Sequence, residues 1–281
     1  MKVLDQIDTW PVPNAAAAVI GQQPGYSVAL RHSHGNLDYL FRIASLTKMM
    51  SSLAIMVASE EGSIDLDEPV SVAAPPGTTL RHLLSHTSGL PFDGRDPIAG
   101  LGARRIYSNT GIEIAAEEVA QQTGLSFSTY LAEAVFEPLS MSATELRGSP
   151  AHAVWSTVND LVAFGTELLS PSLIAAQTWA DMTSTQFPDL DGIVPGVGDY
   201  HPCPWGLGVE IHGSKSAHWM GQHNSPSAFG HFGGAGTMMW IDPEAHLGLI
   251  ALTDLPFDQW SDSAVRHWRE LSDAVVLEGQ R

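Results

Sequence analysis

The apolar positions along the chain follow two different periods, and the change from one to the other outlines the fold. Short apolar runs at 15–20, 26–31 and 37–43 predict strands, and the polar turn at 32–36, which contains Gly and Asn, predicts an antiparallel hairpin between the last two. Apolar runs return near the C-terminus, at 206–212, 236–242 and 246–253. We expect these two β portions to join in one antiparallel sheet.

Between the β regions, apolar residues recur every three or four positions, which is typical of helices. The segment 41–57 begins as a short strand and continues as a helix that should be buried on most sides and end near Gly62. Further helices are predicted at 80–85, 112–123, 128–137, 157–169 and, closing the chain, 261–277. Residues 178–204 are rich in proline and glycine, which predicts a long irregular loop over one face and leaves open whether it moves as a lid.

This order of elements predicts an α+β fold, in which an antiparallel β-sheet is flanked by helices and carries an inserted, mostly helical lobe. A chain of 281 residues can bury one large core or two closely packed lobes. We therefore expect a single domain, 1–281, with an α/β lobe formed by 1–44 plus 205–281 and a helical lobe formed by 45–204.

The charge balance excludes several classes of partner. The chain has 31 acidic and 13 basic residues, a net charge of −18, so nucleic acid and anionic membrane surfaces would be repelled. The first eight residues carry acids where a signal peptide would be apolar, and no apolar stretch is long enough to span a bilayer. These features predict a cytoplasmic protein, and no cofactor is expected.

The candidate chemistry begins at Ser45 and Lys48, which share one face of the predicted helix because they are three residues apart. A serine hydroxyl is a weak nucleophile until a base takes its proton, and lysine is such a base only when burial lowers its pKa from about 10.4. The N-terminus of the helix also offers backbone N–H groups where an oxyanion would form.

Two further motifs fit this chemistry. Tyr107-Ser-Asn109 offers a phenol that can pass a proton and an amide that can hold either a substrate carbonyl or the lysine. His231-Phe-Gly233-Gly234 precedes an apolar strand, and its glycines allow a substrate to approach the strand backbone closely. A backbone N–H group there could complete an oxyanion hole.

With these motifs in this order, the chain resembles the superfamily of serine β-lactamases and D-alanyl-D-alanine peptidases, most closely the class C-like branch with the family VIII esterases. The resemblance covers about 19–254 and includes Phe41-Arg-Ile-Ala-Ser45-Leu-Thr-Lys48, Leu83-Leu-Ser-His86-Thr-Ser-Gly-Leu-Pro91, Tyr107-Ser-Asn109, Ser156-Thr-Val-Asn-Asp160-Leu, Trp205-Gly-Leu-Gly208 and Gly230-His231-Phe-Gly233-Gly234.

The resemblance implies a hydrolase that works through an acyl-enzyme. Ser45 would be the nucleophile, Lys48 its base and Tyr107 the proton relay to the leaving group and for the incoming water. Substrate binding would involve Asn109, which also contacts the lysine, together with His231 and Gly233 of the third motif. The oxyanion hole would be formed by the backbone N–H groups of Ser45 and Gly234.

The departures from the family pattern narrow the expected substrate. His231 stands where β-lactamases and peptidases carry a lysine that binds the substrate carboxylate, and a histidine with a pKa of about 6.5 is charged in only about a quarter of molecules at pH 7. We therefore expect an intracellular esterase or small-amide hydrolase with little β-lactamase activity, whose partner is a small-molecule ester or amide. The alternatives are a D-amino-acid peptidase, carboxypeptidase or β-lactamase, and a penicillin-binding or sensing module that does not turn over.

Some residues have simpler interpretations. Ser45 could be an ordinary helix N-cap. His82 and His86 lie four apart on a predicted helix and could bind a metal, but His86 fits better as a structural residue bonded to backbone, and no metal site is expected. We interpret Glu113, Glu117 and Glu118 as the solvated face of a helix.

Overall fold

A computed structural model describes residues 2–22, 25 and 27–279. Its main feature is a six-stranded sheet that joins strands from both ends of the chain in the order β2-β1-β12-β11-β10-β9. The described strands are β1 (Ala15–Gly21), β2 (Ala29–His34), β3 (Phe41–Arg42), β4 (Arg105–Ile106), β5 (Glu145–Leu146), β6 (Val154–Ser156), β7 (Gly192–Val194), β8 (Gly198–Tyr200), β9 (Glu210–Ile211), β10 (Phe229–Gly233), β11 (Thr237–Asp242) and β12 (Leu247–Thr253). Every pairing in this sheet is antiparallel, so the predicted joining of the two β portions is confirmed.

The helices cover both faces of the sheet. They are α1 (Thr47–Glu60), α2 (Leu80–Leu84), α3 (Asn109–Thr123), α4 (Phe127–Leu131), α5 (Val158–Leu169), α6 (Ala176–Thr183) and α7 (Ser261–Gly279). Short 3-10 segments occur at Lys2–Thr9, Ala44–Leu46 and Phe257–Gln259, and α4 continues as a wider π-type turn at Ala132–Phe136. The predicted α+β class is therefore confirmed. No helix in the described part of the chain is long and apolar enough to cross a membrane.

The core explains why the central strands β11 and β12 are buried at every position and almost entirely apolar. Successive residues of a strand point to opposite faces, and in β1 Ala18 and Ile20 pack into the core shared with α1 and α5. Val19, between them, packs into a second core with Trp240 and the apolar face of α7. Because both faces of the sheet are covered, both sets of side chains must be apolar. The predicted position of the last helix on the face of the sheet is confirmed.

The predicted hairpin between 26–31 and 37–43 is wrong. The second strand is β2, which runs through the supposed turn as far as His34 and pairs with β1 at the edge of the sheet, while Tyr26 lies outside the described residues. Phe41 and Arg42 pair instead with β6, in a separate three-stranded sheet of order β3-β6-β5. An exposed edge strand tolerates the polar histidines of this segment, which is why its pattern resembled a turn.

Other predicted boundaries also change. The loop at 178–204 is not wholly irregular, because it contains the end of α6 and the strands β7 and β8, of which β7 pairs in parallel with β4. The strand predicted at 206–212 is reduced to β9, and the helix predicted at 80–85 ends at Leu84. The division into two lobes stays a prediction.

Helix α3 does not present its three glutamates uniformly to solvent. Glu117 is exposed and pairs with Arg95, with 2.7 Å between their charged atoms. Glu118 is buried and accepts hydrogen bonds from the backbone N–H groups of Ser71 and Val72. The interpretation of Glu118 as solvated is therefore wrong, because the preceding loop folds over it.

Candidate active site

Ser45 lies in the 3-10 turn Ala44–Leu46, immediately before α1 rather than in its first turn. The turn is anchored to the small second sheet because the Ile43 N–H donates to the Val154 carbonyl oxygen at 3.0 Å. Ala44 has a φ of +48°, a left-handed conformation that is unfavourable for a residue with a Cβ atom. The surrounding contacts thus hold a strained backbone directly before the half-buried Ser45 side chain.

Lys48 is fully buried, and its side-chain nitrogen faces three oxygens. Nζ lies 2.7 Å from Asn109 Oδ1, 3.0 Å from the Ala151 carbonyl oxygen and 3.4 Å from Ser45 Oγ. Burial lowers the pKa of Lys48 from 10.5 to about 7, although the negative charge of Glu113 opposes the shift. Roughly half of the molecules therefore carry a neutral amine at pH 7.

The three oxygens match the hydrogen-bonding capacity of a neutral amine, which has two N–H groups and one lone pair. The oxygens of Asn109 and Ala151 can only accept, so they take the two N–H groups, whereas the hydroxyl of Ser45 can donate. The lone pair of Lys48 then faces Ser45 Oγ. In this protonation state Lys48 can remove the proton of Ser45, which is what a serine nucleophile requires.

The amide of Asn109 is engaged at both ends. Its Oδ1 accepts from Lys48, and its Nδ2 donates to Asp93 Oδ1 at 3.2 Å. Because an ionised carboxylate can only accept, the contact with Asp93 fixes the orientation of the amide. The predicted contact between Asn109 and the lysine is present, and its contact with a substrate amide stays a prediction.

Tyr107 and His231 extend the cluster of polar side chains. His231 Nδ1 lies 2.6 Å from the carbonyl oxygen of Phe232, so this nitrogen carries the proton and Nε2 accepts from the Tyr107 hydroxyl at 3.3 Å. Burial raises the pKa of Tyr107, although a hydrogen bond with Ser45 opposes the shift, and the phenol stays protonated at neutral pH. Tyr107 therefore lies between His231, to which its hydroxyl donates, and the Ser45 hydroxyl next to Lys48.

His231 is neutral at physiological pH. Burial, assisted by the positive charge of Lys48, lowers the pKa of His231 to about 4. Roughly one molecule in 1,000 then carries a charged His231 at pH 7, far fewer than the quarter expected from an ordinary histidine pKa. The sequence could not give this value because the burial of the ring depends on residues from distant parts of the chain.

Most of the third motif itself forms a strand, which the sequence analysis placed only before the strand that follows it. His231 and Gly233 belong to β10, and Gly234 lies in the tight turn to β11. A Cβ atom on Gly233 would lie 2.5 Å from the Ile43 carbonyl oxygen, so only glycine lets β10 approach the segment before Ser45. Gly233 is buried by this packing, whereas Gly234 is exposed, with open space where a Cβ atom would be.

Four of the predicted site residues open into one cavity of about 170 Å³: Ser45, Tyr107, His231 and Gly234. Its other walls are apolar or aromatic, formed by Phe92, Val194, Pro195, Trp205, Phe232 and Phe257. No lysine or arginine of the described chain lines it. Of the six walls, only Trp205 and Phe232 lie in motifs that the sequence analysis identified, and neither was predicted to contact substrate.

Arg105 is a buried residue that the sequence analysis did not identify. Its guanidinium donates to the carbonyl oxygens of Ser85, of Gln186 at 2.8 Å and of Cys203 at 2.7 Å. Burial lowers the pKa of Arg105 to about 10. The strand of Arg105, β4, leads directly to Tyr107. The segment 186–203, to which Arg105 is hydrogen-bonded, contributes Val194 and Pro195 to the cavity wall, so Arg105 connects two sides of the site.

The two histidines considered as a metal pair have separate structural contacts. His82 Nδ1 accepts from the Thr79 N–H at the start of α2, whereas His86 lies beyond the end of that helix and its Nδ1 accepts from the Ser108 N–H at 3.2 Å. The His86 ring also packs 4.7 Å from that of Tyr107. Within the residues that the structure describes, no group of three or more His, Cys, Asp or Glu could hold a metal ion.

Comparisons with known proteins agree with this geometry. The chain is 25% identical to the D-alanyl-D-alanine-carboxypeptidase/endopeptidase AmpH of Escherichia coli in an alignment of 304 residues. This alignment covers 85% of this chain and 75% of AmpH. It is also 36% identical to Esterase EstB of Burkholderia gladioli over 86 residues, 27% of this chain and 21% of that esterase.

Solved structures extend the likeness to the whole chain. The crystal structure of a beta-lactamase from Mycobacterium bovis is 46% identical with a TM-score of 0.93, covering 99% of this chain and 100% of that one. A D-amino acid amidase from Ochrobactrum anthropi shares the fold, with 19% identity and a TM-score of 0.75 over 99% of this chain and 97% of that one. The family model described as Beta-lactamase matches residues 13–272. The chain therefore belongs to the beta-lactamase family of serine hydrolases.

Proposed function

We propose that this protein hydrolyses small esters with a short, uncharged acyl group, and more slowly amides, through an acyl-enzyme on Ser45. The observation that carries the proposal is the set of partners of Lys48, which consists of two acceptor oxygens and one hydroxyl. Such a set supports a neutral amine next to a serine at pH 7, and therefore a general base.

The first half of the reaction forms the acyl-enzyme. Lys48 takes the proton of Ser45 while Oγ attacks the substrate carbonyl carbon, and the backbone N–H groups of Ser45 and Gly234 stabilise the resulting oxyanion. When the tetrahedral intermediate collapses, the bond to the leaving group breaks and Tyr107 donates its proton to the departing oxygen or nitrogen. The proton held by Lys48 then returns to Tyr107.

The second half releases the product. A water molecule attacks the carbonyl carbon of the acyl-enzyme and gives up one proton to the Lys48–Tyr107 pair. Collapse of the second intermediate breaks the bond to Oγ, which regains a proton. The products are the carboxylic acid and free Ser45, and every proton taken in the first half has been returned.

The shape and charge of the cavity support a short, uncharged acyl group. About 170 Å³ has room for five or six non-hydrogen atoms if each takes about 30 Å³, the volume of a water molecule in the liquid. The cavity also has no cation for a substrate carboxylate, because His231 is neutral. We therefore propose little activity on penicillins, which carry such a carboxylate.

A D-amino-acid peptidase or carboxypeptidase is the second candidate. It is favoured by the similarity to AmpH, whose name gives a D-alanyl-D-alanine carboxypeptidase and endopeptidase activity. A carboxypeptidase must bind a terminal carboxylate, for which the apolar cavity offers no cation. Rates measured on N-acetyl-D-alanyl-D-alanine, which carries the terminal carboxylate, and on p-nitrophenyl butyrate distinguish the candidates, because only a peptidase favours the first.

The test of the acyl-enzyme is intact mass spectrometry after treatment with a fluorophosphonate. We expect one adduct on the unmodified protein and none on the Ser45→Ala variant. Steady release of p-nitrophenol from p-nitrophenyl butyrate excludes a sensing module, which would give a single burst. An equal adduct on Ser45→Ala would disprove the assigned nucleophile.

A further inference from the structure

A second depression adjoins the catalytic cavity, and we call it the outer groove. It is an open groove of about 380 Å³, lined among others by Phe92, Ile98, Arg104, Tyr107, Ile193 and Pro195. Phe92, Tyr107 and Pro195 also line the catalytic cavity, so the two spaces share a wall. The outer groove is therefore a continuation of the site and not a separate surface feature.

The outer groove collects apolar side chains that are exposed to solvent. Phe92, Ile98 and Ile193 are 49%, 68% and 51% exposed, and they account for three of the eight large hydrophobic side chains that are exposed in the described part of the chain. Exposed apolar side chains that lie together, rather than singly, mark a surface that binds another apolar group. The outer groove has the character of a ligand-binding surface.

Arg104 adds a positive charge to this groove. Its side chain is exposed and makes no ion pair or hydrogen bond with any described residue. The neighbouring Arg105 also borders the groove, but its guanidinium is occupied by backbone carbonyl groups. In a protein of net charge −18, an unpaired arginine beside an apolar groove offers a local site for an anion.

The position of Tyr107 decides which part of a substrate reaches the outer groove. Ser45 and Gly234 line the catalytic cavity but not the outer groove, so the reacting carbonyl and its acyl group belong in the cavity. Tyr107 lines both spaces, and in the proposed reaction it protonates the leaving group. The part of the substrate that extends past Tyr107 is therefore the leaving group.

We propose that the outer groove binds the leaving group, and that it takes an apolar aryl or alkyl alcohol carrying an anionic group that pairs with Arg104. This inference rests on the proposed ester hydrolysis at Ser45, and it adds the chemistry of the alcohol. At about 30 Å³ per non-hydrogen atom, a groove of about 380 Å³ holds about twelve such atoms, the size of a substituted phenol.

The experiment compares two esters that differ only in charge. One is the butyrate ester of 3-(4-hydroxyphenyl)propanoate, and the other is the butyrate ester of the corresponding uncharged amide, which has the same number of non-hydrogen atoms. Both have the same acyl group, so a difference in kcat/KM reports the leaving group. We expect the unmodified protein to prefer the charged ester by about 5-fold, the scale of an exposed ion pair, and Arg104→Gln to abolish the preference.

Matched variants separate the groove from general charge effects. Arg266→Gln removes another exposed arginine, on α7, and should keep the preference, and Arg104→Lys should keep most of it. Ile193→Ser should lower kcat/KM for both aryl esters by the same factor, so that the charge preference stays as it is in the unmodified protein. A charge preference that is absent from the unmodified protein, or unchanged in Arg104→Gln, overturns the proposal.

Failure of the ester hydrolysis itself is recognised separately, because then neither ester is turned over. In that case, titration calorimetry of the Ser45→Ala variant with 3-(4-hydroxyphenyl)propanoate and its amide still tests the groove. Tighter binding of the acid than of the amide, lost when Arg104→Gln is added, supports the anion site. Equal binding of the two compounds overturns it.

Discussion

Two of the three lysines in the chain are buried, and their surroundings differ in one respect. Lys215 Nζ lies 2.9 Å from a carboxylate oxygen of Glu210 and also donates to two backbone carbonyl groups. Lys48 Nζ has an amide oxygen, a carbonyl oxygen and a hydroxyl within reach, but no carboxylate in contact. Both amines are buried, but Lys215 contacts a negatively charged carboxylate whereas Lys48 contacts only neutral groups.

The difference teaches what burial alone does to an amine. At Lys48 no ion pair offsets the cost of burying the charge, and the pKa falls to about 7. At Lys215 the charge is matched: burial would raise the pKa of Glu210, but the charges of Lys215 and His218 outweigh it and hold that pKa well below its usual range. One buried lysine is therefore suited to proton transfer, and the other belongs to a structural ion pair.

The largest expected effect is on the pH dependence of stability in the Lys48→Met variant. Between pH 7 and about 10.5 the unfolded chain binds a proton at Lys48 that the folded chain does not. The free energy of unfolding of the unmodified protein therefore rises with pH across this window, by about 5 kcal/mol in total. The Lys48→Met variant has no titrating group at this position, so its stability lacks this dependence on pH. Urea unfolding of both proteins at several pH values should show the stability difference changing in favour of the unmodified protein as the pH rises. A difference that is constant with pH would mean that Lys48 is charged in the folded protein.

The next largest effect is expected for Lys215→Met, which leaves the buried Glu210 carboxylate without its main partner. Removing one member of a buried ion pair typically costs about 3–5 kcal/mol of unfolding free energy, measurable by urea denaturation at pH 7. The double variant Glu210→Gln/Lys215→Met serves as the control and should recover at least half of the loss. A destabilisation below about 1 kcal/mol in the single variant would contradict the structural role of the pair.

A smaller effect is expected when the Lys48 site is made to resemble the Lys215 site. Asn109→Asp puts a carboxylate where the amide oxygen now lies, 2.7 Å from Nζ, and should raise the pKa of Lys48 by about 1–3 units. The neutral amine is the active form, so ester turnover should rise with pH, with a midpoint near 7 in the unmodified protein and a higher one in the variant. Activity at pH 7 should fall at least about 5-fold and recover at pH 9 to 10. Asn109→Ala is the control, and an upward shift there as well would show that the added charge is not the cause.

The sequence was sufficient where the physical signal is local. The spacing of Ser45 and Lys48 and the apolar runs of β11 and β12 are visible in short stretches of sequence, and the fold class and family inferred from such motifs are confirmed. The hairpin after β2 was wrong because the partner of β3 is β6, a strand far along the chain. Pairing between distant strands has no signature in either strand alone.

The surroundings of the site were beyond the reach of sequence patterns for a similar reason. Phe92 lies in a loop and Phe257 in a short 3-10 segment, outside the motifs that the sequence showed, and only the fold places them around one cavity with Ser45. The protonation of His231 depends on how deeply its ring is buried, which several distant segments decide together. The site roles assigned to Tyr107 and Asn109 stay predictions, and the Asn109 variants described above test the second.

Arg105 has a consequence for the redesign of this protein. Its guanidinium ties the segment that carries Val194 and Pro195 of the catalytic cavity to the strand that immediately precedes Tyr107. An insertion or deletion made in that segment to admit longer acyl chains would therefore also shift the phenol relative to Ser45. Changes to this segment would therefore alter selectivity and rate together, whereas trimming Phe257, which lies outside it, would enlarge the cavity without moving the strand before Tyr107.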